Sequence, residues 1–305
     1  IELATPNLTR LAGTTIGGPA SWTGVFTGAP DDFALKGQAS LSNASLASYQ
    51  ATRISGPLNA TYKGGRLTLD GDVRGVGGRS EGIVGALLGA TPHVQLQAAR
   101  EKDGAIVLSK IDARGQALEL TGSGGRNLLG GLSFRGQGRI TDVGRIQPGA
   151  RGAFGGPISA SSARSGAPWK ITFDGRGQGL ATGMAEIDRL LGQTPRLQAE
   201  GLLNGGRIEI NRGDLTGAAG RASAKGLIEG DGRLRLALDW NARGPFGVGP
   251  VAIDGAMTGE GALTGTLAQP RADLMAAFDK VAAGPLILTN ANLVLSFRKS
   301  ADASD

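Results

Sequence analysis

The chain contains one module twice. Glu81-Gly-Ile-Val-Gly-Ala-Leu-Leu-Gly89-Ala-Thr-Pro92-His-Val-Gln95 returns as Met184-Ala-Glu-Ile-Asp-Arg-Leu-Leu-Gly192-Gln-Thr-Pro195-Arg-Leu-Gln198, with strand-like alternation before and after each copy. Gly89 and Gly192 stand 103 residues apart, as do Pro92 and Pro195. Self-similarity at a fixed spacing is the signature of a protein built by stacking one structural unit. Residues 1–305 are therefore read as one continuous repetitive β domain, part of a longer protein, with related modules over about 67–126 and 171–226.

Between and around the copies the pattern is period two. In Arg233-Leu-Arg-Leu-Ala-Leu-Asp-Trp240, Leu234, Leu236, Leu238 and Trp240 share one face, and Arg233, Arg235 and Asp239 the other. Leu67 and Leu69, Trp169, Ile171 and Phe173, and Ile208 and Ile210 repeat it. The runs stop at Gly64-Gly65, Asp70-Gly71, Asp103-Gly104, Asn204-Gly-Gly206 and Asp231-Gly232, the punctuation of an antiparallel meander. Glycine is 53 of 305 residues, against roughly 7% in ordinary proteins. Aromatics are only 4%, thin for a compact core but enough for a long sheet with one apolar and one wet face. The predicted fold is all-β: an elongated, mainly antiparallel curled sheet, a half-pipe with an apolar interior groove.

The repeated segments interrupt that pattern. Ile83, Val84, Leu87 and Leu88 follow helical spacing, as do Met184, Ile187, Leu190 and Leu191, and each run ends at a glycine with a proline three residues on. Two short amphipathic helices are predicted. A helix this short is marginal alone and rests its Leu-Leu face on the sheet, either as a plug that fills core or as a lid that shapes a groove.

Charge and composition exclude several functions. The net charge is +6 and the isoelectric point about 10.0, but the basic residues are spread singly, without the aromatic platforms of single-strand binders, so no nucleic acid is expected. Arg66, Arg74, Arg114, Arg207, Arg233 and Arg271 sit where strands meet turns. They read either as solvated charges that keep strand edges from pairing or as a basic rim for anionic headgroups. No cysteine occurs, which leaves the compartment open. No run approaches the roughly 18 apolar residues of a membrane span.

Catalytic signatures are missing. The single histidine, His93, is replaced by Arg196 in the second copy, so the position does not require imidazole, and no histidine triad or histidine-pair zinc site is expected. No Gly-Lys-Ser or Gly-Lys-Thr closes a phosphate loop. Arg135-Gly-Gln-Gly138 and Arg176-Gly-Gln-Gly179 read as turns or bulges, because no βαβ alternation surrounds them. Asp70-Gly-Asp72 is not reiterated as a calcium-binding β-roll requires. No enzyme, catalytic residue, metal or cofactor is expected.

Ile171-Thr-Phe-Asp-Gly-Arg-Gly-Gln-Gly-Leu180, Ile187-Asp-Arg-Leu-Leu-Gly192, Thr194-Pro195, Gly206-Arg-Ile-Glu-Ile210 and Asp214-Leu-Thr-Gly217 resemble the TamB family, the translocation and assembly module subunits among the AsmA-like proteins. Thr264-Gly-Thr-Leu-Ala-Gln-Pro270-Arg-Ala-Asp-Leu-Met-Ala is similar too. The resemblance implies an internal segment of a protein anchored in the inner membrane of a Gram-negative bacterium and crossing the periplasm as a folded-over sheet, or β-taco. It further implies phospholipid as cargo and an Omp85-type outer-membrane barrel as partner, in lipid transport and in the assembly and secretion of outer-membrane proteins. The membrane anchor and the barrel-binding end are expected outside this segment.

On that reading Leu67, Leu69, Ile171, Phe173, Ile208, Ile210, Leu234, Leu236, Leu238 and Trp240 line a lipid groove. Ile83, Leu87, Leu88, Ile187, Leu190 and Leu191 form the lid or plug. Leu236 is expected to face lipid and Arg235 water. Two alternatives stay open. A β-helical adhesin or autotransporter has parallel coils instead of hairpins, and a β-rich polysaccharide-processing enzyme has converging carboxylates.

Overall fold

The structure is a computed structural model and describes residues 1–6, 16–46, 49–248, 251–266, 269–283 and 285–298. Leu267 and Ala268 of the Thr264–Ala276 stretch, and the polar tail from Lys299 onward, lie outside the described residues. Strand accounts for 72% and helix for 6%. The chain divides into two compact units, residues 1–148 with 157–166, and residues 149–156 with 167–305.

The first unit holds β1 (Glu2–Thr5), β2 (Ile16–Gly17), β3 (Ala20–Ala29), β4 (Asp32–Leu46), β5 (Tyr49–Lys63), β6 (Arg66–Val76), helix α1 (Gly82–Leu88), β7 (His93–Arg100), β8 (Ile106–Arg114), β9 (Leu118–Arg126) and β10 (Leu132–Ile140). From β3 to β10 the strands pair antiparallel in chain order, with β1 on β3 and β2 on β4. Strand β11 (Arg151–Ser161) belongs to the second unit up to Gly156 and to the first from Pro157.

The second unit continues with β12 (Trp169–Ala181), helix α2 (Ala185–Leu191), β13 (Arg196–Asn204), β14 (Arg207–Thr216), β15 (Gly220–Ile228), β16 (Leu234–Arg243), β17 (Phe246–Val248), β18 (Val251–Gly265), β19 (Pro270–Ala283) and β20 (Leu286–Arg298). It too is an antiparallel meander, β12 to β16 and then β18 to β20, with the short β17 beside β18. The sheet is not closed into a barrel. Among the described residues every register is antiparallel, which rules out the parallel coils of a β-helix.

Local chemistry explains the turns and bends. Gly64-Gly65 closes the β5–β6 hairpin with φ of 59° and 85°, and Gly205-Gly206 closes β13–β14 with 57° and 86°. Two consecutive positive φ angles are what a tight hairpin matched to strand twist demands. Register shifts interrupt β7–β8 at Gln97/Ala98 and β8–β9 at Leu108/Ile111, and they recur in β13–β14 at Glu200/Gly201 and β14–β15 at Ile210/Gly213. Bulges bend and overtwist the strands that carry them. The module is thus repeated down to its irregularities: β6-α1-β7-β8-β9 matches β12-α2-β13-β14-β15.

Among the described residues, two clusters gather most of the buried apolar side chains, and Leu234 and Leu236 are buried apart from them. One joins Ala44, Tyr49 and Ala51. Another joins Ala242, Ile253, Met257, Ala276, Phe278 and Val281.

Candidate functional site

Residues directly opposite in an antiparallel pair point to the same side of the sheet, so the registers sort side chains by face. In the first unit one row across β3 to β10 reads Gly24, Gly37, Leu58, Gly71, Leu96, Ile111, Gly122 and Gly136. The row beside it reads Phe26, Leu35, Ala60, Leu69, Ala98, Leu108, Gly124 and Phe134. In the second unit a row across β12 to β20 reads Gly175, Leu197, Leu215, Ala222, Trp240, Gly259, Ala276 and Leu293. The opposite face is polar, as in Asp174, Gln198, Asp214, Ser223, Asp239 and Glu260. Among the described paired residues the apolar faces carry charge only at Arg100 and Arg126, in the last row of the first unit.

All ten residues assigned to a groove from the sequence lie on these faces. Leu234 and Leu236 are buried, at 5% and 8% exposure. Leu67, Leu69, Ile171, Phe173, Ile210, Leu238 and Trp240 are half-buried, and Ile208 is exposed. Arg233, Arg235 and Asp239 stand exposed on the other side. The apolar faces thus run from buried at Leu234 and Leu236 to exposed at Ile208.

Strand glycines shape this surface. A methyl group built on Gly122 or Gly136 meets the ring of Phe134, one on Gly175 meets Phe173 and Phe154, and one on Gly259 meets Trp240. The aromatic side chains lie down over glycine backbone and leave a low surface. The indole Nε1 of Trp240 is buried without a hydrogen-bond partner, whereas that of Trp22 donates to the Leu58 carbonyl at 2.9 Å.

The helices dock identically at their C-termini. Gln116 and Ala117 N–H donate to the Leu88 and Leu87 carbonyls at 3.1 and 2.9 Å, and Ala218 and Ala219 donate to Leu191 and Leu190, each at 3.0 Å. Each cap glycine has φ 66°, and each module proline accepts from a strand glycine, Gly75 to Pro92 and Gly177 to Pro195, at 2.7 Å. Leu88 packs against the Ala44-Tyr49-Ala51 cluster, and Leu190 against the cluster around Met257 and Phe278. Both leucines fill core. Ile83 and Ile187 are exposed, at 56% and 37%.

On the polar face each module carries a clamp that sequence reasoning missed. His93 Nε2 lies 2.5 Å from Asp72 Oδ1, and Gln95 donates to Asp72 Oδ2 at 2.8 Å. In the second copy Arg196 Nε donates to Asp174 Oδ1 at 2.8 Å and Gln198 to Asp174 Oδ2 at 3.1 Å. The bond from His93, and then that from Gln95, holds the Asp72 carboxyl below the usual carboxylate range. Arg196 does the same for Asp174. The basic residue after Thr-Pro therefore ties the strand after the helix to the strand before it.

Most of the turn arginines are engaged too: Arg66 with Glu101 at 3.0 Å, Arg114 with Asp112 at 3.0 Å, Arg207 with Glu229 at 3.9 Å, Arg233 with Asp231 at 2.7 Å and Arg271 with Asp273 at 2.8 Å. Among the described residues no group of three His, Asp or Glu is placed to hold a metal ion, and no helix is long and apolar enough to cross a membrane. No family model, curated protein or solved structure matches the chain.

Proposed function

We propose that this chain is a periplasmic stretch of a TamB-like protein whose apolar sheet face shelters phospholipid acyl chains as they pass between the inner and outer membranes of a Gram-negative bacterium, in support of outer-membrane assembly. One observation carries the reading: the face formed by β12 to β20 holds no charge among its described paired residues, although from β12 to β18 the opposite face carries Asp174, Arg196, Asp214, Asp239 and Glu260. A globular β-protein covers such a face with a second layer. Here β12 to β14 leave Ile171, Phe173 and Ile210 half-buried and Ile208 exposed, while Leu234, Leu236, Met257, Ala276 and Phe278 farther along the face are buried. Each methylene kept from water is worth about 0.8 kcal/mol, so an apolar trough offsets most of the cost of moving an acyl chain through an aqueous space. No turnover is involved in this role, and contacts with an Omp85-type barrel and the inner-membrane anchor are assigned to regions beyond these residues.

Neighbouring positions on opposite faces supply the test. Ile208 and Glu209 are both exposed, so a photo-crosslinker enters either without disturbing a core. At Ile208 it captures phospholipid in cells, and at Glu209 it captures little. Equal capture at both positions, or none at Ile208, overturns the conduit.

A further inference from the structure

The hairpin tip that follows each copy of the module differs between the two, and the second serves as a control for the first. Between β9 and β10 the turn Asn127-Leu128-Leu129-Gly130 presents two leucines at 66% and 73% exposure. The matching turn between β15 and β16 reads Glu229-Gly230-Asp231-Gly232, and there Asp231 pairs with Arg233. The fold therefore closes this hairpin without leucines. The first tip is nonetheless firmly built: Gly131 N–H donates to Asn127 Oδ1 at 2.8 Å, Gly130 N–H to the Asn127 carbonyl at 3.0 Å, and Asn127 Nδ2 to the Ala163 carbonyl at 3.2 Å.

The surroundings change in the same sense. Val107, 41% exposed, stands where the second copy has Glu209, and Leu132 is 38% exposed where its counterpart Leu234 is 5%. Cationic groups border the patch. Arg126 lies in register between Ile106 and Leu132, with its Nη2 3.2 Å from where a methyl on Gly130 would sit, and Arg164 bridges Gly130. Neither arginine makes an ion pair among the described residues. Of the acids on the adjoining β7–β8 turn, Glu101 is taken up by Arg66 and Asp103 accepts from its own turn at Ala105.

We propose that this end of the first unit docks on an anionic phospholipid bilayer, with Leu128 and Leu129 inserted below the headgroups and Arg126 and Arg164 on the phosphates. Exposed leucines next to uncompensated arginines, without a carboxylate between them, match the two layers of such an interface. The docking does not require the sheet face to carry lipid, so either assignment can fail alone.

Co-flotation of the purified 305-residue chain with vesicles tests it. Vesicles of phosphatidylcholine with 30% phosphatidylglycerol bind the chain, and pure phosphatidylcholine vesicles bind it about tenfold or more weakly, a gap that narrows in high salt. L128G/L129D, which installs the second copy's pair, lowers binding to the anionic vesicles about tenfold or more. R126Q/R164Q lowers it about fivefold or more per arginine and flattens the salt dependence. Retained circular dichroism shows that each variant is folded. Wild-type binding that ignores lipid charge, or a folded L128G/L129D variant that binds like wild type, overturns the proposal.

Discussion

A carboxylate held by a basic side chain of the adjacent strand is the residue-scale tie of each module. Asp72 is reached by His93 and Gln95, and Asp174 by Arg196 and Gln198. Both carboxyls are held below their ordinary range, so each contributes stability that is complete above the unfolded value of about 3.9 and is lost as pH falls through the folded value. The loss therefore falls on the acid side, below about pH 4. Urea titrations repeated down a pH series should show this decline, and D72N/D174N should flatten it while lowering stability near neutrality. A double variant whose acid limb matches wild type would show that the clamps add nothing to folding.

At the scale of elements, each helix ends on a cap that only glycine fits without strain. Gly89 has φ 66° and ψ −162°, and Gly192 has φ 66° and ψ −173°, a region essentially reserved for glycine. A methyl there also meets Gln116 Cβ at 2.6 Å or Ala218 Cβ at 2.8 Å. Gly89→Ala and Gly192→Ala should each cost about 1–3 kcal/mol, read as a lower urea midpoint at unchanged slope. The strands, caps and turns were legible in the sequence because each is local: alternation, a glycine after Leu-Leu, paired glycines between strands. The clamps were not, because Asp72 and His93 are 21 residues apart and meet only through the β6–β7 register. The seats of the helices were hidden for the same reason. Near-identical Leu-Leu pairs settle on the preceding strands in one copy, at Ala44 and Tyr49, and on the following ones in the other, at Met257 and Phe278. The second copy puts Arg196 in the place of His93, and the structure shows that both reach the aspartate of the preceding strand. Leu128 and Leu129 are as readable, but a turn is expected to be polar, and their deviation gains meaning only beside Gly230 and Asp231.

At the scale of the whole molecule, the registers join strands to their neighbours in the meander, and the buried apolar side chains among the described residues are local to a few strands at a time. Stability in such an array is close to a sum of local terms, so damage at one strand stays near it. That property separates function from folding. Ile208 lies on the apolar face at 36% exposure, where an introduced carboxylate stays wet and avoids the several kcal/mol that a dry site exacts. Leu236, at 8%, offers no such shelter and would confound the two effects. Ile208→Asp should leave amide exchange across β3 to β10 unchanged, and should loosen at most β13 to β15, whose registers meet at that position. On the conduit reading it should nevertheless stop phospholipid capture in cells by a crosslinker at Ile210 on the same face, since a hydrated charge then interrupts the proposed acyl-chain path. If exchange is unchanged and capture persists, the apolar face of the second unit is a structural surface, and the chain spaces its neighbours without carrying lipid.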